Sequence, residues 1–294
     1  MISSARLLEP HENLQEQIRA VLDRDPIVNC FLYSRLEPLF RTPIESGKST
    51  ERSGQSIRSL IGGDVWLYEP GGQVESLCYV GANLVPSPSS DRAIEAFALR
   101  AKRTGRYSSS IVGPKTSVLA LWTRMDDAWG PARAVREDQP LLAIDYRPKV
   151  ACDASVRRVE PVEIPALLPA SVAMFTEELG ISPIGGDGGA LYQAKLAESI
   201  AAGLVFARFE NGEVIFKCEI GAISPKACQI QGVWTKRDRR GAGIGTEGLA
   251  RVVEFALEIA PTVCLYVNDF NIAARRSYEK IGFREVGAFA SVLF

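Results

Sequence analysis

The sequence predicts an α/β (α+β) fold of two domains, each a mixed, mostly antiparallel sheet flanked by helices. Three observations predict it. Three strand-like segments lie between Leu204 and Thr235, the first two joined by the hairpin dipeptide Asn211–Gly212. A glycine-rich loop, an amphipathic helix and a further strand follow them. The first half repeats this order in looser form, as helix, meander, helix, strand and helix, which points to an old duplication.

The chain of 294 residues is long enough for two domains with substantial cores. Asp145–Val156 (DYRPKVACDASV) is short, polar and broken by Pro148, so the domains are expected at 1–148 and 155–294. In the first half, a helical stretch is expected over Arg24–Leu39. The strands VWLYEP and VESLCYVGANLV follow, separated by Gly71–Gly72. A helix is expected near Asp91–Arg103, then SSSIVGP as a strand, then a helix from about Thr116. In the second half, a short β-like segment precedes a helix from about Ile164. A turn (GISPIGGDGG) and a helix near Leu191–Ala201 come next. The three strands are Leu204–Glu210, Glu213–Ile223 and Cys228–Thr235. Beyond them, Leu249, Val252, Val253, Ala256 and Ile259 recur at helical spacing, and Pro261 ends that helix.

Composition excludes several classes of function. At 46% hydrophobic and 23% charged the chain reads as soluble and globular, and its net charge of −1 gives no pull toward nucleic acid or an anionic membrane. The opening residues lack a basic region followed by an apolar run, and no apolar stretch approaches a membrane span. The six cysteines (Cys30, Cys78, Cys152, Cys218, Cys228, Cys264) are scattered singly, which suits a reducing, cytoplasmic setting better than disulfides or zinc. The single histidine, His11, leaves no material for a histidine triad or a multi-histidine metal centre, so no metal is expected. Acid–base chemistry must come from Glu, Asp, Tyr, Lys, Cys or water.

The loop Arg239–Gly248 (RRGAGIGTEG) can be parsed in two ways. From Gly243 it matches G-x-G-x-x-G, the dinucleotide fingerprint, and the later strand VCLYVND ends in Asp269 as that motif requires. Yet Lys236–Arg240 (KRDRR) separates the strand from the glycines, where a tight turn is needed. Only about 25 residues follow Asp269, too few for the remaining strands of a nucleotide-binding half. From Arg240 the same residues read R-x-x-G-x-G. There Gly241, Gly243 and Gly245 let backbone amides converge on an anion at the start of a helix.

The tail favours the second parse. Asn271–Phe283 (NIAARRSYEKIGF) puts Asn271, Ala274 and Tyr278 on one face of a helix, and Gly282–Phe283 then ends it. Together, R-x-x-G-x-G and N-x-x-A-x-x-x-Y-x-x-x-G-F resemble the GNAT superfamily of acyl-CoA-dependent N-acyltransferases, over about Val156–Phe294. The whole chain resembles the tandem, two-domain bacterial members. In its first half, PSPSS between Val85 and the next helix replaces the glycine-rich loop, as in a degenerate copy.

The resemblance implies acetyl-CoA as co-substrate. It implies that Arg240, Gly241, Ala242, Gly243, Ile244 and Gly245 bind the pyrophosphate. Gly232, Val233 and Trp234 would line the pantetheine arm, in a V-shaped cleft between their strand and the next. Asn271 would contact the coenzyme, and Tyr278 would protonate the departing thiolate. Where several members carry a strand glutamate as base, this chain has Gln229 and Gln231, so Glu219 on the neighbouring strand is the substitute. Arg237 stands where many members have proline. Glu177 and Glu178, between the first two helices, would favour a cationic acceptor by charge. The expected activity is acetyl transfer to a primary amine of a small molecule or peptide by direct attack in a ternary complex, with no nucleic-acid or membrane partner. Polyamine, amino acid, antibiotic, peptide terminus and protein lysine all fit as acceptors. A non-catalytic acyl-CoA sensor is the alternative.

Overall fold

The computed structural model describes residues 4–9, 14–41, 57–185 and 188–294. His11, and Gly186 and Asp187 of the expected flexible turn, lie outside the described residues. The chain divides into two compact units. The first comprises Met1–Leu142, Tyr266–Phe270 and Glu285–Phe294; the second comprises Ala143–Leu265 and Asn271–Arg284. The expected domains follow a single cut near 148–155, whereas the chain's last strand here belongs with the first unit.

In the first unit the strands are β1 (Arg6–Leu7), β2 (Asp64–Tyr68), β3 (Ser76–Val80), β4 (Asn83–Pro86), β5 (Ser110–Pro114) and most of β6 (Ala134–Ile144). The helices are α1 (Gln15–Leu22), α2 (Cys30–Arg41), α3 (Ile57–Ile61), α4 (Asp91–Thr104), α5 (Lys115–Thr123) and α6 (Asp126–Trp129). Strands β1 to β4 pair antiparallel in order, and β5 joins β4 in parallel. One apolar cluster centres on Phe97, Trp66 and Ile111, a second on Leu22, Leu36 and Leu67.

Two first-half expectations are corrected. The helix expected over Arg24–Leu39 begins only at Cys30, as α2, and a separate helix that was not expected, α1, ends before it at Leu22. Pro26 disfavours helical backbone at Asp25, the Asp25 carboxylate accepts from the Val28 amide at 3.1 Å, and buried Asn29 donates to the Leu22 carbonyl at 3.1 Å. The long strand Val74–Val85 is two strands, because the chain reverses at Gly81. A Cβ there would stand 2.4 Å from the Tyr79 hydroxyl.

In the second unit, β7 (Arg157–Arg158), α7 (Ile164–Leu179) and α8 (Ala190–Ala201) lead to β8 (Val205–Glu210), β9 (Glu213–Ile223) and β10 (Cys228–Thr235). Then come α9 (Ile244–Leu257), β11 (Val263–Tyr266), α10 (Ile272–Ile281) and β12 (Arg284–Leu293). Strands β7 to β10 pair antiparallel in order, and β11 joins β10 in parallel. Asn211 (φ 51°) and Gly212 (φ 80°) form the expected primed hairpin turn between β8 and β9. Helix α7 packs on β9 and β10, and so does α9. Phe216 abuts Gly248 of α9, and Phe206 stacks on Phe255 at 5.2 Å, so these side chains mark the α9 face. The last strand, β12, pairs antiparallel with β5 and so joins the sheet of the first unit.

Candidate active site

The parallel pairing of β10 with β11 lasts only from Cys228–Val263 to Gln229–Cys264. Beyond it, β10 continues to Thr235 with no β11 partner among the described residues, which leaves one edge of Ile230–Thr235 open. The ladder to β9 slips between Gln231 and Trp234, where Gly232 adopts φ +62°. A bulge of this kind re-aims the backbone of a strand beside a site.

The strand ends in a short turn, Arg237–Arg239, and the backbone then passes through Gly241 (φ 82°) and Gly243 (φ 84°) before α9 begins at Ile244. No side chain caps α9. Among the described residues, the amides of Gly241, Ala242 and Gly243 make no hydrogen bond of ordinary geometry. Those of Ile244 and Gly245, in the first helical turn, have no partner four residues back in the helix. Gly245 is required for another reason, since a Cβ there would stand 2.8 Å from the Thr235 hydroxyl. The result is a row of donors at the positive end of a helix, which is an anion site.

The basic run before the loop is fully paired, contrary to the look of a solvated charge run. Lys236 bonds Glu213, Arg239 bonds Glu210 at 2.6 Å, and Arg237 and Arg240 both bond Glu177, at 3.1 and 2.7 Å. Arg240 is also fixed through Nε to the Thr235 carbonyl at 2.9 Å. Glu177 further accepts from the Trp234 indole at 3.4 Å. Burial would raise this carboxyl, but the bonds from Arg240, Trp234 and Arg237 outweigh it and hold the group below the usual carboxylate range. Glu177 is therefore not a lone carboxylate awaiting a cationic acceptor, because two guanidinium groups already hold it. Glu178, the next residue, is exposed.

Asn271 is the N-cap of α10. Its Oδ1 accepts from the Ala274 amide at 3.2 Å, so the Asn–x–x–Ala spacing has a local structural cause as well as any coenzyme role. Tyr278, 7% exposed, lies about two turns further along, and its hydroxyl bonds no group among the described residues. Burial pushes its phenol well up, helped by Cys218 and Glu178. At neutral pH the hydroxyl therefore keeps its proton. A hydroxyl bond between Thr246 and Ser277 ties the first turn of α9 to α10.

Glu219 accepts a bond from Lys217, whose side chain is 0% exposed; the sequence reading missed this lysine. The two are spaced by two along β9 and so share one face. That face is the α7 side: at Gly232 a Cβ would meet Lys217 Nζ at 3.4 Å, Met174 Cε at 3.4 Å and Glu219 Oε1 at 3.5 Å. Tyr192, pushed up to about 12 by burial and by Glu219, closes the same side and donates to the Ser171 carbonyl at 3.1 Å. Cys218, between the pair, faces the other way, toward Tyr278. Burial raises the Cys218 thiol, which disfavours a thiolate nucleophile. Of the two glutamines, Gln229 is buried and Gln231 lies over Gly221. Among the described residues no group of three or more His, Cys, Asp or Glu side chains could hold a metal ion, and no helix is long and apolar enough to cross a membrane.

A bulged strand with one open edge thus leads into an uncapped helix N-terminus. Residues 173–283 match the acetyltransferase (GNAT) family, in keeping with an acyltransferase. Residues 63–167 match a domain of unknown function, DUF4081. No curated protein matches the chain. Three solved structures share the fold along nearly the whole length. A GNAT-family acetyltransferase from Colwellia psychrerythraea is 11% identical, with 99% of each chain covered and a TM-score of 0.54. A GCN5-related N-acetyltransferase from Sphaerobacter thermophilus is 16% identical, covering 98% of this chain and 95% of the other, with a TM-score of 0.52. A tandem GNAT protein from the clavulanic acid biosynthesis pathway is 13% identical, covering 99% and 98%, with a TM-score of 0.51. Members of the family use acetyl-CoA as co-substrate.

Proposed function

We propose that the second unit transfers an acetyl group from acetyl-CoA to a primary amine of a small molecule or peptide, by direct attack in a ternary complex. The observation that carries this reading is the row of unbonded amides Gly241–Gly243 at the uncapped start of α9, beside the open edge of β10. Arg240 and the amides through Gly245 take the pyrophosphate, and Gly232, Val233 and Trp234 run beside the pantetheine arm. Asn271, with its oxygen engaged in the cap, offers its amide NH2 to the coenzyme. The amine nitrogen adds to the thioester carbonyl carbon. The carbon–sulfur bond then breaks, the thiolate takes the proton of Tyr278, and Glu219 accepts the proton lost by the nitrogen. The free thiols, Cys152 among them, suit a cytoplasmic setting.

The test is release of free thiol from acetyl-CoA across a panel of primary amines, with calorimetry of coenzyme A binding beside it. At least one amine should release thiol and appear acetylated by mass spectrometry. Absence of coenzyme A binding would sink the reading.

A further inference from the structure

Glu177 ends α7 with its side chain 24% exposed and accepts bonds from Arg237, Arg240 and the Trp234 indole. Both arginines flank the amide row, Arg240 being the residue immediately before Gly241. Each guanidinium gives the carboxylate one bond, Arg237 through Nε and Arg240 through Nη2, and the same charge-assisted donors can hold phosphate oxygens. We propose that Glu177 is a placeholder for phosphate: it positions Arg237 and Arg240 at the mouth of the loop in the free protein and gives them up when the coenzyme's pyrophosphate arrives. The inference rests on the acyl-CoA reading above. Two consequences follow from charge alone. Before the coenzyme binds, Glu177 is neutralised and cannot attract a cation. Afterwards it stands free at the end of α7 beside Glu178, so a cationic amine is drawn in only once the coenzyme is in place.

The indole reports the exchange. Of the four tryptophans, Trp66, Trp122 and Trp129 lie in the first unit, so Trp234 alone reads the second. Coenzyme A titrated into the wild-type protein should change the Trp234 emission, identified by its absence in Trp234→Phe. In Glu177→Gln the emission should start displaced toward the coenzyme-bound value and move little on titration. Calorimetry should show coenzyme A binding about two- to fivefold tighter in Glu177→Gln, the range an exposed ion pair is worth, with the gain shrinking as salt rises. Glu258→Gln, which removes an equal charge from an exposed position at the far end of α9, should bind as wild type.

Weaker or unchanged binding in Glu177→Gln, or an unchanged Trp234 emission on saturation of the wild type, would overturn the placeholder role while leaving the acyl-CoA reading intact. If neither wild type nor Glu177→Gln binds coenzyme A or inorganic pyrophosphate, both fall. Should Glu177→Gln fail to fold, Glu177→Asp takes its place, with an emission displaced in the same direction.

Discussion

The strand-to-helix junctions after β4 and after β10 occupy the same place in two copies of one architecture. In each unit three antiparallel strands lead to a parallel neighbour, β5 or β11, paired over two residues. In each a helix follows the third strand. After β4 the junction closes on itself. Ser87 N–H bonds the Leu77 carbonyl, Ser89 N–H bonds the Ser117 hydroxyl, Pro88 has no N–H, and Ser90 caps α4 by accepting from Ala93. After β10 nothing closes it, and glycines replace the capping serine. A helix N-terminus either satisfies its own amides or leaves them open, and the two units differ in this.

The next helix repeats the contrast. Tyr278 is the seventh residue of α10, and Leu121 is the seventh residue of α5. Leu121 is wholly buried in its own core, while Tyr278 keeps a hydroxyl with no protein partner among the described residues. Replacing Tyr278 with Phe deletes only that oxygen. Turnover should fall by about 10²–10⁴-fold, the usual share of one positioned proton donor, with coenzyme A affinity almost unchanged. Because burial raises the phenol, its ionisation should cause no loss of wild-type turnover up to about pH 10, the ordinary tyrosine value. Thiol-release rates of both proteins across pH 7–9.5 check both points; equal turnover would remove Tyr278 from the reaction.

A smaller effect is expected at Gly243, whose φ of +84° suits glycine and strains any branched side chain. Gly243→Val should cost about 1–3 kcal/mol at the loop, or about 5–150-fold in coenzyme A affinity, if the bound form needs this backbone. The loop is exposed, so secondary structure by circular dichroism should be retained. Calorimetry giving wild-type affinity would break the comparison at its centre.

Much of this was legible before any coordinates, for identifiable reasons. The glycines of the loop, the hairpin at Asn211–Gly212 and the helix from Asn271 are local features, set by backbone freedom, turn chemistry and capping. What could not be read depends on residues distant in sequence. Glu177 reads as a free carboxylate because Arg240, its partner, is 63 positions away. Lys217 was missed although a signal existed: two charges spaced by two in an otherwise apolar strand must share a buried face and so are expected to pair. That β12 joins the sheet containing β5 is set by pairing partners, and an alternating pattern does not name its neighbour. The late start of the helix expected over Arg24–Leu39 was readable from Pro26, since the residue before a proline resists helix.

The smallest effect sharpens the comparison from the closed side. Ser90→Ala removes the cap of α4 and the bond its hydroxyl donates to Glu75, and should cost about 1 kcal/mol. The melting midpoint should drop by about 2–4 °C. Ser90→Gly should cost only a few tenths of a kcal/mol, because glycine tolerates the N-cap position. Neither change should create an anion site, since Pro86 and Pro88 lack an N–H and the amides of Ser87 and Ser89 remain engaged. Coenzyme A calorimetry of Ser90→Gly should therefore match wild type in both affinity and stoichiometry. A second binding event would show that an uncapped helix suffices for the site, and that the glycine backbone of Gly241–Gly245 is not what separates the two units.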